Sequence, residues 1–252
     1  MKLALENLTC AFGGFRAVDG VAFEAESGSL VGIIGPNGAG KSTLFSLITG
    51  FLPANAGTVR LDGRDISALP PHARAAAGMV RTFQVPKEFS HLTVRENLMA
   101  AAPAQSGENL VELFLKPAAI RREEAAIAAR VEETLAFLKL AKVADVPSGR
   151  LSGGQKKLLE LGRVLMTEPK LILLDEPFAG VNPVLIEELS EHIRILNARG
   201  IGFIIIEHDL GALSRLVGTL HVMDRGRLIA SGAPGEVLKR QVVREAYLGG
   251  AA

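Results

Sequence analysis

The sequence predicts an α/β fold whose mainly parallel sheet is buried on both faces, and three observations carry that prediction. The apolar runs Leu30–Ile34, Leu171–Leu174 and Phe203–Ile206 read as strands. Helical stretches separate them, and strands alternating with helices in this order imply a parallel sheet with helices packed on it. Hydrophobic residues at 48% and charged residues at 22% are globular values, and 252 residues suffice for one large domain or one domain with a small satellite.

In chain order, Leu3–Leu8 and Val21–Ala25 read as strands, followed by the run at Leu30–Ile34. A helix is expected over Ser42–Thr49, stopping at Gly50. Thr58–Leu61 is a short strand closed by an Asp62-Gly63 turn, and Met79–Phe83 is an apolar element leading to Gln84. From about Leu92 to Ala144 the chain becomes rich in Ala, Glu, Arg and Leu, with helical periodicity over Ala125–Leu140, so a helical subdomain is expected there. The βα alternation then resumes, with helices over Gly153–Thr167 and Pro183–Ala198.

Charge and cysteine content narrow the function. Lys and Arg total 28 against 27 Asp and Glu, a net +1 that gives no electrostatic case for a nucleic-acid partner. A lone Cys10 fits a reducing compartment. Glu6 interrupts the position where an export signal would be apolar. The uncharged segment Ser42–Val59 is broken by Gly50, Pro53, Asn55 and Gly57, short of the roughly 20 residues a bilayer requires. Any membrane association is therefore expected through a partner.

The strongest motif is Gly35-Pro36-Asn37-Gly38-Ala39-Gly40-Lys41-Ser42-Thr43, which fits G-x-x-x-x-G-K-[ST] between an apolar strand and a helix. Its glycines let several backbone N–H groups point at one anion, and the helix N-terminus adds partial positive charge. The stretch reads as the phosphate-binding loop of a P-loop NTPase core, the alternative being a Gly-rich turn with an incidental Lys-Ser: Lys41 is expected to reach the β- and γ-phosphates of ATP and the Ser42 hydroxyl to ligate Mg²⁺. The run ending in Asp175-Glu176 delivers two carboxylates to the sheet edge where α/β ligands sit. Asp175 is expected to hold Mg²⁺ through water, and Glu176 to polarise the attacking water. Strand-end acids also cap following helices, an alternative that Pro177 makes less natural. Gln84, as a ligand of Mg²⁺ or of the attacking water, and His208, as a contact to the γ-phosphate or to Glu176, are weaker candidates, since either residue type also serves ordinary surface or structural roles.

Leu151-Ser152-Gly153-Gly154-Gln155 resembles the signature motif of ABC ATPases. The order of loop, Gln84, signature, Asp175-Glu176 and His208 is similar to that family from end to end. The resemblance implies a core over about 1–84 and 150–252, comprising the mainly parallel sheet and an antiparallel β subdomain, with an inserted α-helical subdomain over about 85–149. It further implies that Ser152, Gly153, Gly154 and Gln155 act in trans on the γ-phosphate held by a second ATPase subunit. Phe12 matches the aromatic that stacks on adenine, with core packing as the alternative. Asn182 stands where the family usually has an Asp that crosses the dimer interface, which puts an ionic role there in doubt.

Finer features, namely Arg81-Thr82-Phe83-Gln84, Leu92–Leu98, the long 104–130 insertion and the C-terminal Ala246-Tyr247-Leu248-Gly249-Gly250, resemble the ATPase of branched-chain amino acid importers. Phe178-Ala179-Gly180 is also similar to the lipopolysaccharide exporter ATPase, and urea importers use close relatives. The resemblance implies two integral membrane permeases, indirectly a solute-binding protein, and a place on the inner face of the plasma membrane. The permeases would dock on exposed apolar positions near Val85, Phe89 and Leu92. Two rivals are a soluble ABC ATPase and a P-loop kinase or GTPase. A kinase or GTPase gives no reason for Leu151–Gln155, and a GTPase would need an Asn-Lys-x-Asp base reader that the sequence lacks.

Overall fold

The computed structural model describes residues 1–82, 88–103, 105 and 117–248. They fall into two compact units, Met1–Gln84 with Lys170–Ala252, and Val85–Pro169.

The first unit holds two sheets. Strands β1 (Lys2–Phe12) and β2 (Phe15–Glu26) form an antiparallel hairpin, joined by β4 (Ala56–Leu61) and β5 (Arg64–Asp65) in the order β2-β1-β4-β5. The second sheet runs β10-β9-β3-β8-β7-β6, from β3 (Leu30–Ile34), β6 (Met79–Arg81), β7 (Leu171–Asp175), β8 (Gly202–Ile206), β9 (Thr219–Asp224) and β10 (Arg227–Gly232). Its pairs are parallel except β9–β10. The core is packed from Leu3, Leu5 and Phe23 of one sheet, Ile33, Leu173 and Ile204 of the other, and Leu44 and Phe45 of helix α1 (Lys41–Thr49). β7 and β8 are buried along their whole length, as strands covered on both faces must be.

Register brings the motifs together. Ile206 of β8 pairs with Ile33 of β3 and with Asp175 of β7, so the C-terminal ends of three adjacent strands lie on one rung. Gly35, Glu176 and His208 leave the sheet one or two residues beyond it. Arg74, in helix α2 (Pro71–Ala76), is fully buried and donates to the carbonyls of Leu47 and Ile48, closing the C-terminal end of α1.

The second unit packs α3 (Val94–Met99), α4 (Pro117–Phe137) and α5 (Gly153–Met166). Here the structure moves an expected boundary: the signature helix α5 clusters with the helical unit, whereas the sequence placed the return to the core near 150. The reason is Gly162, where an added Cβ would lie 2.9 Å from side-chain carbons of Leu98 and Leu138, so a missing side chain lets three elements close. The periodic stretch expected to reach Leu140 ends at Phe137, and the chain turns through Lys139 at φ +56°. Among the described residues no helix is long and apolar enough to cross a membrane.

Candidate nucleotide site

The loop after β3 is built by close backbone approach. Gly40 has φ +98°, and a Cβ there would lie 2.1 Å from the Ala17 carbonyl oxygen. At Gly35 a Cβ would lie 2.2 Å from the Met223 carbonyl oxygen. Side chains are excluded at both positions, so the loop must be glycine there to pass against β2 and β9. Lys41 opens α1 and is buried, its Nζ donating to the carbonyls of Gly35 at 2.7 Å and Pro36 at 3.0 Å. Burial lowers its pKa, while the nearby charges of Glu176 and Asp175 act in the opposite direction.

A cavity of about 350 Å³ lies over this loop, walled by Phe12, Phe15 and Ala17 on one side, by Asn37–Thr43 beneath, and by Glu176 and His208. Phe12 is 52% exposed, so its core-packing alternative is excluded. Phe15, its partner across the β1–β2 hairpin, is exposed beside it, and the sequence reading missed it. Its signal was the register of a hairpin turning at Gly13-Gly14, which makes two aromatic residues neighbours.

Neither strand-end acid caps a helix. That role belongs to Asn182, whose Oδ1 accepts from Leu185 N at 2.9 Å at the start of α6 (Pro183–Ala198). Asp175 is buried, and its Oδ2 accepts from Arg81 Nη2 at 2.7 Å. Arg81 also donates to Ser46 Oγ at 3.1 Å and lies over the Phe45 ring, tying the end of β7 to α1. Glu176 stands at φ +51°, with Oε1 2.8 Å from His208 Nε2. Gln84 lies outside the described residues.

Ser42 and Asp175 are oxygen donors, the type that suits a hard divalent cation. Among the described residues no three His, Cys, Asp or Glu side chains converge on one point. The hydroxyl and carboxylate oxygens of Ser42 and Asp175 fit Mg²⁺, which is commonly bound by one or two carboxylates together with substrate phosphates and water.

In the second unit, the signature opens α5 with a capping box: Gln155 N donates to Ser152 Oγ at 3.3 Å and Ser152 N to Gln155 Oε1 at 3.0 Å. Ser152 and Gln155 thereby spend their own N–H groups within the turn. The Ser152 hydroxyl keeps its own proton to donate, and a Cβ at Gly153 would meet nothing within 4 Å, so the backbone at the start of α5 is open to approach.

The profile of the ABC transporter family matches residues 18–179. The chain belongs to that family. It is an ATPase and binds nucleotide, as ATPases coupled to transport do. A second profile, for branched-chain amino acid ATP-binding cassette transporters, matches residues 227–252. The ATPase is 42% identical over 251 residues, 98% of this chain and 97% of the relative, to a probable branched-chain amino acid transport ATP-binding protein, LivG, of Methanocaldococcus jannaschii. It is 36% identical, at 98% and 97% coverage, to the lipopolysaccharide export system ATP-binding protein LptB of Escherichia coli. In three dimensions it resembles a nucleotide-free ATP-binding cassette from an ABC transporter, with a TM-score of 0.85, 42% identity, and 98% and 99% of the two chains covered. As in other transporters of this family, such ATPase subunits work with membrane permease components.

Proposed function

We propose that this ATPase energises the uptake of branched-chain amino acids. It acts as one of two ATPase subunits docked on two integral membrane permeases at the inner face of the plasma membrane, supplied by a solute-binding protein. The observation that carries the reading is the match of its C-terminal 227–252 segment to the branched-chain amino acid cassette profile. Relatives named for that transport, LivG at 42% and BraF of Pseudomonas aeruginosa at 36% identity, add support.

The site residues take distinct roles, with Gln84 assigned by motif order alone. Phe12 offers an exposed ring to adenine. Lys41 and the loop N–H groups hold the phosphates, while Ser42 and, through water, Asp175 would hold Mg²⁺, with Gln84 as a further expected ligand. With Mg²⁺ bound, Ser42 and Asp175 would place positive charge against the phosphates. Glu176 accepts the proton of the attacking water, and His208, in contact with it, holds that carboxylate in line. The Gly153 and Gly154 N–H groups of a second subunit complete the site by donating to the γ-phosphate. Phe89 and Leu92, both exposed, offer apolar surface to a permease helix, and Val85, the third expected position, lies outside the described residues.

The test is reconstitution in vesicles with two permeases and a binding protein. Leucine loaded on the binding protein should raise phosphate release from ATP and drive leucine uptake. Stimulation by lipopolysaccharide instead would move the chain to the exporter reading that its LptB similarity represents, and transfer of phosphate to an acceptor would overturn both.

A further inference from the structure

We propose that Glu207 is a positioning residue for hydrolysis. Its carboxylate clamps the backbone that follows Glu176 to the backbone that carries His208, an inference that rests on the roles given above to those two side chains. Glu207 directly follows β8 and is 3% exposed. Its Oε1 accepts from Phe178 N at 2.5 Å and its Oε2 from His208 N at 2.9 Å. One side chain thus joins two loops that leave neighbouring strands.

The geometry between those loops is held against a local cost. Glu176 has φ +51°, a region that a non-glycine residue keeps only where its surroundings over-determine it. On one side, Glu176 N donates to Ile206 O at 2.9 Å. On the other, Phe178 is fixed by its bond to Glu207 and by burial of its ring. Both restraints come from the end of β8, which also launches His208. The result is the 2.8 Å separation between His208 Nε2 and Glu176 Oε1.

The chemistry requires a carboxylate. Burial raises the Glu207 pKa, and the N–H groups of Phe178, His208 and Asp209 act in the opposite direction. A buried acid costs free energy unless such donors satisfy it. The Phe178 and His208 N–H groups each meet a different carboxylate oxygen, and a glutamine would supply one acceptor while turning an NH₂ toward the other donor. The pair Glu207 and His208 therefore reads as a support with its functional neighbour.

The experiment uses the full-length chain and the Glu207→Gln variant. Binding of a fluorescent ATP analogue should change by less than about twofold and KM should hold. kcat should fall at least ~10-fold, because small displacements of a catalytic group cost that much or more. Placed on Glu176→Gln, the same change should lower the residual rate no further, since both act on one geometry. Unchanged kcat in Glu207→Gln beside an inactive Glu176→Gln overturns the proposal, as does a fully multiplicative loss in the double variant. Should Glu207→Gln fail to fold, Glu207→Asp keeps both acceptor oxygens but withdraws them by one methylene. It should show the same kcat-only loss, and normal kcat overturns the clamp. Normal turnover in Glu176→Gln alone would overturn the base assignment, a result that needs no Glu207 variant to be seen.

Discussion

His208 Nε2 sits 2.8 Å from Glu176 Oε1, joining the residue two places beyond the end of β8 to the one that follows β7. Removing the imidazole leaves the carboxylate without this lateral contact while the phosphate loop is untouched. His208→Ala should therefore lower kcat by about 10²-fold, the scale of a general-base arrangement, with ATP affinity preserved. Steady-state hydrolysis beside equilibrium nucleotide binding checks this, and an equal loss in both would place His208 in binding instead.

Arg81 pairs with the buried Asp175, their side chains 10% and 5% exposed. Truncating one partner strands the other charge in the core, a change that costs about 3–5 kcal/mol. Arg81→Met should lower unfolding stability in urea by an amount of that order. A shift under about 1 kcal/mol would show that Asp175 finds another partner or water.

The two glycines that flank Ala39 should differ in tolerance. Gly38 has φ +80° with open space where a Cβ would go, whereas Gly40 adds to φ +98° a 2.1 Å clash with the Ala17 carbonyl. Gly38→Ala should cost about 1 kcal/mol of backbone strain and retain ATP binding. Gly40→Ala should abolish binding, because the Ala17 backbone or the loop must move. Nucleotide titration of both variants decides the point.

Much of this site was legible in the sequence, and what was not has physical causes. The loop, the two acids and His208 each end an apolar run, so their convergence needs only adjacent parallel strands. The helix over Pro183–Ala198 matched its expected span because Asn182 and Pro183 mark its start. Glu207 escaped notice because a single acid at a strand end carries no pattern; only its two backbone donors reveal it. Phe15 depended on hairpin register. The grouping of α5 with the helical unit depended on packing at Gly162, which no periodicity encodes.

His221 of β9 is 5% exposed and stacks against Phe23 at 4.6 Å, and burial lowers its pKa to about 4. It is neutral in the folded chain over a range in which the unfolded chain protonates. The destabilisation is therefore absent above the ordinary value near 6.5, grows as pH falls toward 4, and is complete below it. It amounts to at most about 3 kcal/mol. His221→Phe should flatten this part of the pH–stability curve in urea titrations, while a curve of unchanged slope would assign the acid sensitivity to other groups.

In the proposed mechanism Glu176 is the base of a site that a second subunit completes. Sedimentation velocity of Glu176→Gln, run with and without ATP and paired with phosphate release, tests both parts at once. With ATP the variant should sediment as a dimer and release phosphate at least ~10²-fold more slowly than the parent chain. A monomer at saturating ATP, or turnover near that of the parent, would contradict the account.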